Sequence, residues 1–182
     1  VENDRFYFDV LSEERERIET HLKNQGYYFF NKEFIFYQAD TTIRNHKVDI
    51  KLIIKKFLIP DEGGGYIEIA HPRVKIGNIF IHTEFDPRQA MSNRQGYEIY
   101  MDTLIINDIH LLYKDELKIK PEVLTESSYI VPGELYNLDN VRRTYRNLSS
   151  LKLLRLVNIE FRDIDSINYT GQIVLDGEIF LT

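Results

Sequence analysis

The chain has no cysteine, no tryptophan and only two methionines in 182 residues. Without cysteine it can form no disulfide, thiol nucleophile or thiolate metal site of its own. No apolar run reaches the roughly 18 residues that a membrane-crossing helix requires, and no charged start with an apolar core marks a secretory leader. A basic excess is missing too: 23 Lys and Arg stand against 29 Asp and Glu, a formal charge of −6. The two signs are interspersed, so the electrostatic footprint of a nucleic-acid binder is absent. The sequence opens on Val1 rather than Met, and it is expected to be part of something longer.

What is present is aromatic and β-branched. Hydrophobic residues make up 43% of the chain, including 12 Tyr and 11 Phe. These types fit a pleated, half-buried surface, so a β-rich or α+β chain of one ordinary domain or two small ones is expected. Ser12 followed by Glu13 and Glu14 predicts a helix from about 12 to 25, capped by the hydroxyl. Ile18 and Leu22 share one face, Glu19 and Lys23 pair at i, i+4, and Gly26 supplies a left-handed stop.

After Gly26-Tyr27-Tyr28-Phe29-Phe30 the period changes to two. Strands are expected at 34–39 and 48–54 across a polar turn, and Ile59-Pro60-Asp61-Glu62-Gly63-Gly64-Gly65 reads as a linker. A further strand spans 73–83, with Val74 and Ile76 on one phase and Ile79 and Ile81 on the other. The slip at Gly77-Asn78 predicts a bulge. A loop at 86–96, a short hairpin through 111–119 and a helical turn after Pro121 follow. Asn137 then caps a helix carrying Leu138, Val141, Tyr145 and Leu148 on one face, and two strands containing Val157, Ile159 and Phe161, then Ile173 to Leu181, close the chain.

Helix, strand, turn, strand thus occurs twice. Val48-Asp49-Ile50-Lys51-Leu52-Ile53-Ile54 lies over Leu175-Asp176-Gly177-Glu178-Ile179-Phe180-Leu181, with an acid at the same step, and Leu22 answers to Leu148. Two diverged copies of one small α+β unit is the economical reading.

On these residues the chain resembles POTRA (polypeptide-transport-associated) domains, the periplasmic beads that precede the β-barrel of BamA/TamA-type outer-membrane assembly proteins. The second copy carries a first strand at 73–83, a short helix near Val123, Pro132-Gly133-Glu134-Leu135-Tyr136 and the long helix. "LSSLKLLRLVNIEF" and the closing strand complete it. The first copy shows "LKNQGYYFF" and both closing strands, without an evident first strand. "YKDELKIKPEVLTESSYIVPGELY" looks like the version in TamA-like lipoproteins of the Bacteroidetes lineage. The resemblance implies two tandem modules, each a small three-stranded mixed sheet covered on one face by two helices. They would span 1–60 and 73–182, joined by a linker at 61–72, with an insertion at about 86–120 in the second.

It further implies non-catalytic modules that bind unfolded outer-membrane client chains and accessory subunits, with a C-terminal β-barrel in the same parent. Location would be periplasmic, and membrane contact would come only through that parent. In the family sheet the strand that is second in sequence lies at an edge, where unpaired N–H and C=O groups can accept an added strand. Phe34, Phe36 and Tyr37, and Val157, Ile159 and Phe161, are therefore the candidate protein-binding residues. Gly26, Gly133 and Tyr136 are structural.

Other chemistry is thinly supported. A phosphate loop needs several glycines and a Lys or Ser/Thr, whereas Gly133 stands alone before Glu134. His21, His46, His71, His82 and His110 show no i, i+3 or i, i+4 pairing for a metal. No catalytic, cofactor or metal residue is assigned. Arg142, Arg143 and Arg146 form the only local basic cluster, either solvated and paired with Asp139 or facing an acidic partner or anionic lipid. The competing reading is a carbohydrate-binding protein or hydrolase whose insertion builds a site from Tyr97, Tyr100, Asp102 and Tyr113.

Overall fold

The computed structural model describes residues 7–42, 47–61, 63–86, 101–163 and 172–182. The architecture is α+β, with three helices and nine strands among those residues. Helix α1 (Phe8–Lys23) starts earlier than the sequence signals suggest: Tyr7 is its N-cap without a side-chain bond, and Ser12 lies inside the helix. The Glu19–Lys23 pair forms at 2.8 Å. Gly26 ends the turn at φ +98°, and Tyr27 N–H closes back on the Leu22 carbonyl, a left-handed helix stop.

Strands β1 (Ile35–Asp40) and β2 (Asp49–Ile54) form an antiparallel pair. The expected linker is largely another hairpin, β3 (Phe57–Pro60) with β4 (Tyr66–Ile69). Its glycines turn the chain: Gly64 takes φ +82° and its N–H bonds the Asp61 carbonyl at 3.0 Å. Ile67 and Ile69 alternate with Tyr66 and Glu68, a short period-two signal that the adjacent glycine run outweighed.

A five-stranded mixed sheet follows, in the order β6-β7-β5-β9-β8. Strand β5 (Arg73–His82) runs parallel to β7 (Ile109–Tyr113) on one side and β9 (Gln172–Leu181) on the other. Strand β8 (Val157–Asp163) pairs antiparallel with β9. The β5–β9 register shifts between Ile76 and Ile79, the bulge that the phase slip predicts. It lets Val74, Ile76, Ile79 and Ile81 all reach the core.

The expected three-stranded sheet is therefore widened by the insertion, which adds β6 (Asp102–Ile106) and β7 as a hairpin. Its turn is at Asn107-Asp108, both at positive φ, rather than at Lys114 to Glu116. Asn and Asp tolerate the left-handed region that such two-residue turns demand. Helices α2 (Pro121–Glu126) and α3 (Leu138–Ser150) seat Leu124 and Leu148 against the sheet. Asn137 caps α3 as expected, accepting from Asn140 N–H at 3.0 Å. Thr144 rather than Tyr145 is on the buried side of α3; Tyr145 is 50% exposed.

The sequence repeat has a structural counterpart. Pairing Ile54 with Leu181 also pairs their partners Ile35 and Val157, and the match continues rung by rung to Asp40–Asp49 and Arg162–Asp176. The end of α1 also docks onto the second half of the chain. Asn24 accepts from Asp139 N–H at 2.9 Å and donates to its carboxylate at 2.7 Å, while the Gly26 carbonyl receives Val74 N–H at 2.7 Å.

Candidate functional site

Strand β8 has a neighbour on one side only among the described residues, which leaves its outer backbone edge open. Its side chains divide by phase. Val157 is buried and Ile159 half-buried, whereas Asn158 and Glu160 are exposed and bond to each other at 2.8 Å. Phe161 lies edge-on to Tyr28 and Tyr136, with centroids 5.6 and 5.3 Å away. These three inward residues therefore hold the strand in place, and the backbone is what the edge presents.

Between β8 and α3 runs an open groove of about 780 Å³, lined by Val157 to Ile159 on one side and by Val141, Tyr145 and the three arginines on the other. Arg142 reaches Asp139 at 3.6 Å, with both side chains more than half exposed. Arg143 also stacks over Tyr129, 4.4 Å from the ring centre. An exposed pair of this kind contributes little to stability.

Of the first-copy candidates, Phe36 and Tyr37 lie on β1, but Phe34 does not. It ends a one-turn 3₁₀ segment, Lys32–Phe34, capped by Asn31. Its ring packs on His71 at 4.6 Å, and its carbonyl receives Lys55 N–H at 2.8 Å. Phe34 thus anchors the start of β1 and offers no edge. Phe36 is exposed beneath the Lys55 ammonium, 3.9 Å from the ring centre. Burial raises the Tyr37 phenol above its ordinary range, helped by Glu14.

Gly133 turns the chain and cradles nothing. Its φ of +82° suits the third position of a turn begun by Val131 and Pro132, and Glu134 N–H returns to the Val131 carbonyl at 3.3 Å. The Gly133 N–H that a phosphate would need donates to the Ile76 carbonyl at 2.8 Å. Ile76 N–H to Glu134 and Tyr136 N–H to Val74 complete a short ladder along β5. That ladder and β7 occupy the side of β5 away from β9. Tyr136 is buried beneath, and desolvation pushes its phenol up to about 12.

Within the insertion, Asp102 and Tyr113 face each other across the β6–β7 ladder; Tyr97 and Tyr100 lie outside the described residues. No three His, Asp or Glu side chains cluster as metal ligands among the described residues.

Two features escape sequence reasoning. Thr144, fully buried, accepts from Tyr129 N–H at 2.8 Å and donates to the Asn140 carbonyl at 2.9 Å. Its spacing from Val141 and Leu148 is helical, but a hydroxyl does not count towards an apolar stripe. Buried Glu178 lies 3.3 Å from His82 and 2.8 Å from Arg162, a grouping made only by three adjacent strands.

No protein-family model and no curated protein matches the chain. Solved structures do. It superposes on BamA POTRA3-5 of Haemophilus influenzae with a TM-score of 0.53 at 13% identity, covering 99% of this chain and 50% of that one. For BamA of Haemophilus ducreyi lacking POTRA domains 1-3, the TM-score is 0.55 at 14% identity, covering 100% of this chain and 25% of that one. The chain thus spans half or less of the length of these structures. The likeness is one of fold, and the fold is that of POTRA domains.

Proposed function

We propose that this POTRA-fold chain is a non-catalytic polypeptide-binding segment of an outer-membrane β-barrel assembly or translocation protein, acting in the periplasm. Two modules, divided near the β3–β4 hairpin, would hold client chains or accessory subunits ahead of a barrel in the same parent. The observation that carries this reading is the terminal strand β8, seven residues long, beside an open groove of about 780 Å³. An extended client would add as a sixth strand, exchanging main-chain hydrogen bonds with the edge and seating alternate side chains against α3. Main-chain pairing reads no particular sequence, which suits a protein handling many unfolded chains.

The carbohydrate or hydrolase reading gains no support from the insertion, whose described part extends the sheet. Strand β6 is also terminal, but it is shorter and packs towards α2. Hydrogen exchange with an extended peptide taken from an outer-membrane barrel strand tests the assignment. Protection of 157–163 is expected. Protection of 102–106 alone, or of neither edge, would refute augmentation at β8.

A further inference from the structure

We infer that the β8–α3 groove selects extended segments bearing carboxylates at alternate positions, with Arg142 and Arg146 as the specificity-determining residues. The inference rests on the augmentation reading above and names the chemistry of the chain that is captured. The full chain carries a net charge of −6, yet three arginines fall within five residues of α3, and all three border this groove. All are exposed. Arg142 has the single weak partner Asp139, and Arg146 has no ion pair among the described residues. Asp139 is itself engaged by Asn24, which donates to its carboxylate at 2.7 Å. The groove therefore presents more positive charge than its own acid neutralises.

Spacing supports a strand as the occupant. Arg142 and Arg146 are four residues apart on one helical face, a rise of about 6 Å. Side chains on one face of a strand repeat every two residues, about 6.6 to 6.8 Å. Carboxylates at i and i+2 of an added strand therefore match the two guanidiniums, and Val141 and Tyr145 give an apolar floor beside them. Guanidinium suits this task through its planar, multi-donor geometry. The opposite phase of the same strand would lie beside exposed Glu160, where a carboxylate is repelled. Acids on one phase and neutral or basic residues on the other are thus favoured by both faces of the edge.

Three labelled peptides of equal length test this by fluorescence anisotropy against the full chain. One alternates Glu with Thr, one has the same composition with Glu in adjacent pairs, and one is neutral. The alternating peptide is expected to bind at least about tenfold more tightly than its paired isomer, an advantage that shrinks as salt rises. The double variant R142E/R146E should erase that preference, whereas Lys152→Glu, exposed and off the groove, should preserve it. If the neutral peptide protects β8 in hydrogen exchange but the acidic peptides gain nothing, the selectivity is wrong and the augmentation reading stands. If no peptide protects β8, both fail. If vesicles of phosphatidylglycerol bind through Arg142 and Arg146 and displace the alternating peptide, the surface is a lipid site and the inference is overturned.

Discussion

The β1/β2 and β8/β9 hairpins share a register, and β1 and β8 begin with the same alternation of burial, yet β2 is exposed throughout where β9 is mostly buried. Leu52 and Ile179 stand at equivalent rungs, opposite Tyr37 and Ile159, but Leu52 is 41% exposed and Ile179 is fully buried. Strand β9 owes its burial to β5, which pairs along almost its whole length, and to helices α2 and α3 above. On its outer side β2 has no such neighbour among the described residues. One rung shows how two hairpins of the same register diverged. Ala39 faces Ile50 in the first, and Phe161 faces Gly177 in the second. Large and small have changed sides. A Cβ at Gly177 would stand 3.5 Å from the Phe161 ring, an ordinary packing distance. The Phe161 ring in turn completes the cluster with Tyr28 and Tyr136. Similar sequence periods thus produce a central strand or an exposed one, depending on what lies alongside.

Several measurements would sharpen or break this contrast. The largest difference is expected in hydrogen exchange: amides of 49–54 should exchange at least about a hundredfold faster than those of 175–181, since the former open locally. Equal protection would show that β2 is covered in solution. In urea denaturation, Ile179→Ala should cost about 3 kcal/mol, and Leu52→Ala less than about 1 kcal/mol, because a cavity forms only at the buried rung.

The aromatic cluster against β8 should respond to alkali. The folded-state value of Tyr136, about 12, lies above the unfolded value near 10. Its contribution is fully present below about pH 10 and is lost as pH rises towards 12, because the unfolded chain ionises first. Roughly 2 kcal/mol should disappear over that window, and Tyr136→Phe should flatten the loss in pH-dependent unfolding. A profile unchanged by that substitution would place the titration elsewhere.

Two of the left-handed glycines, Gly26 and Gly133, give further, modest effects. Gly26→Ala should cost about 2 kcal/mol and Gly133→Ala about 1 kcal/mol by thermal unfolding. Both strain φ, but only at Gly26 would the new Cβ meet Leu135, at 3.4 Å, and the Val74 carbonyl, at 3.6 Å.

Much of this was legible in the sequence. The repeat, the α3 cap at Asn137, the bulge at Gly77-Asn78 and both glycine turns follow from local rules of periodicity, capping and φ preference. The 61–72 segment misled because three glycines outweigh a four-residue strand. The start of α1 misled because Ser12 and the two glutamates suit a helix interior as well as its first turn. Phe34 has the composition of a strand residue, but the cap formed by Asn31 turns the backbone there before β1 begins.

By itself, then, the sequence determined which segments alternate, several of the places where they turn, and that one order of helix, strand, turn and strand recurs. Only the tertiary structure decided which strand is central, which edge has no neighbour among the described residues, that Tyr28 packs with Tyr136 and Phe161, and that three arginines border that edge. The reason is physical. Periodicity and caps are set by a few neighbouring residues, whereas burial and edge exposure depend on partners up to a hundred or more positions away.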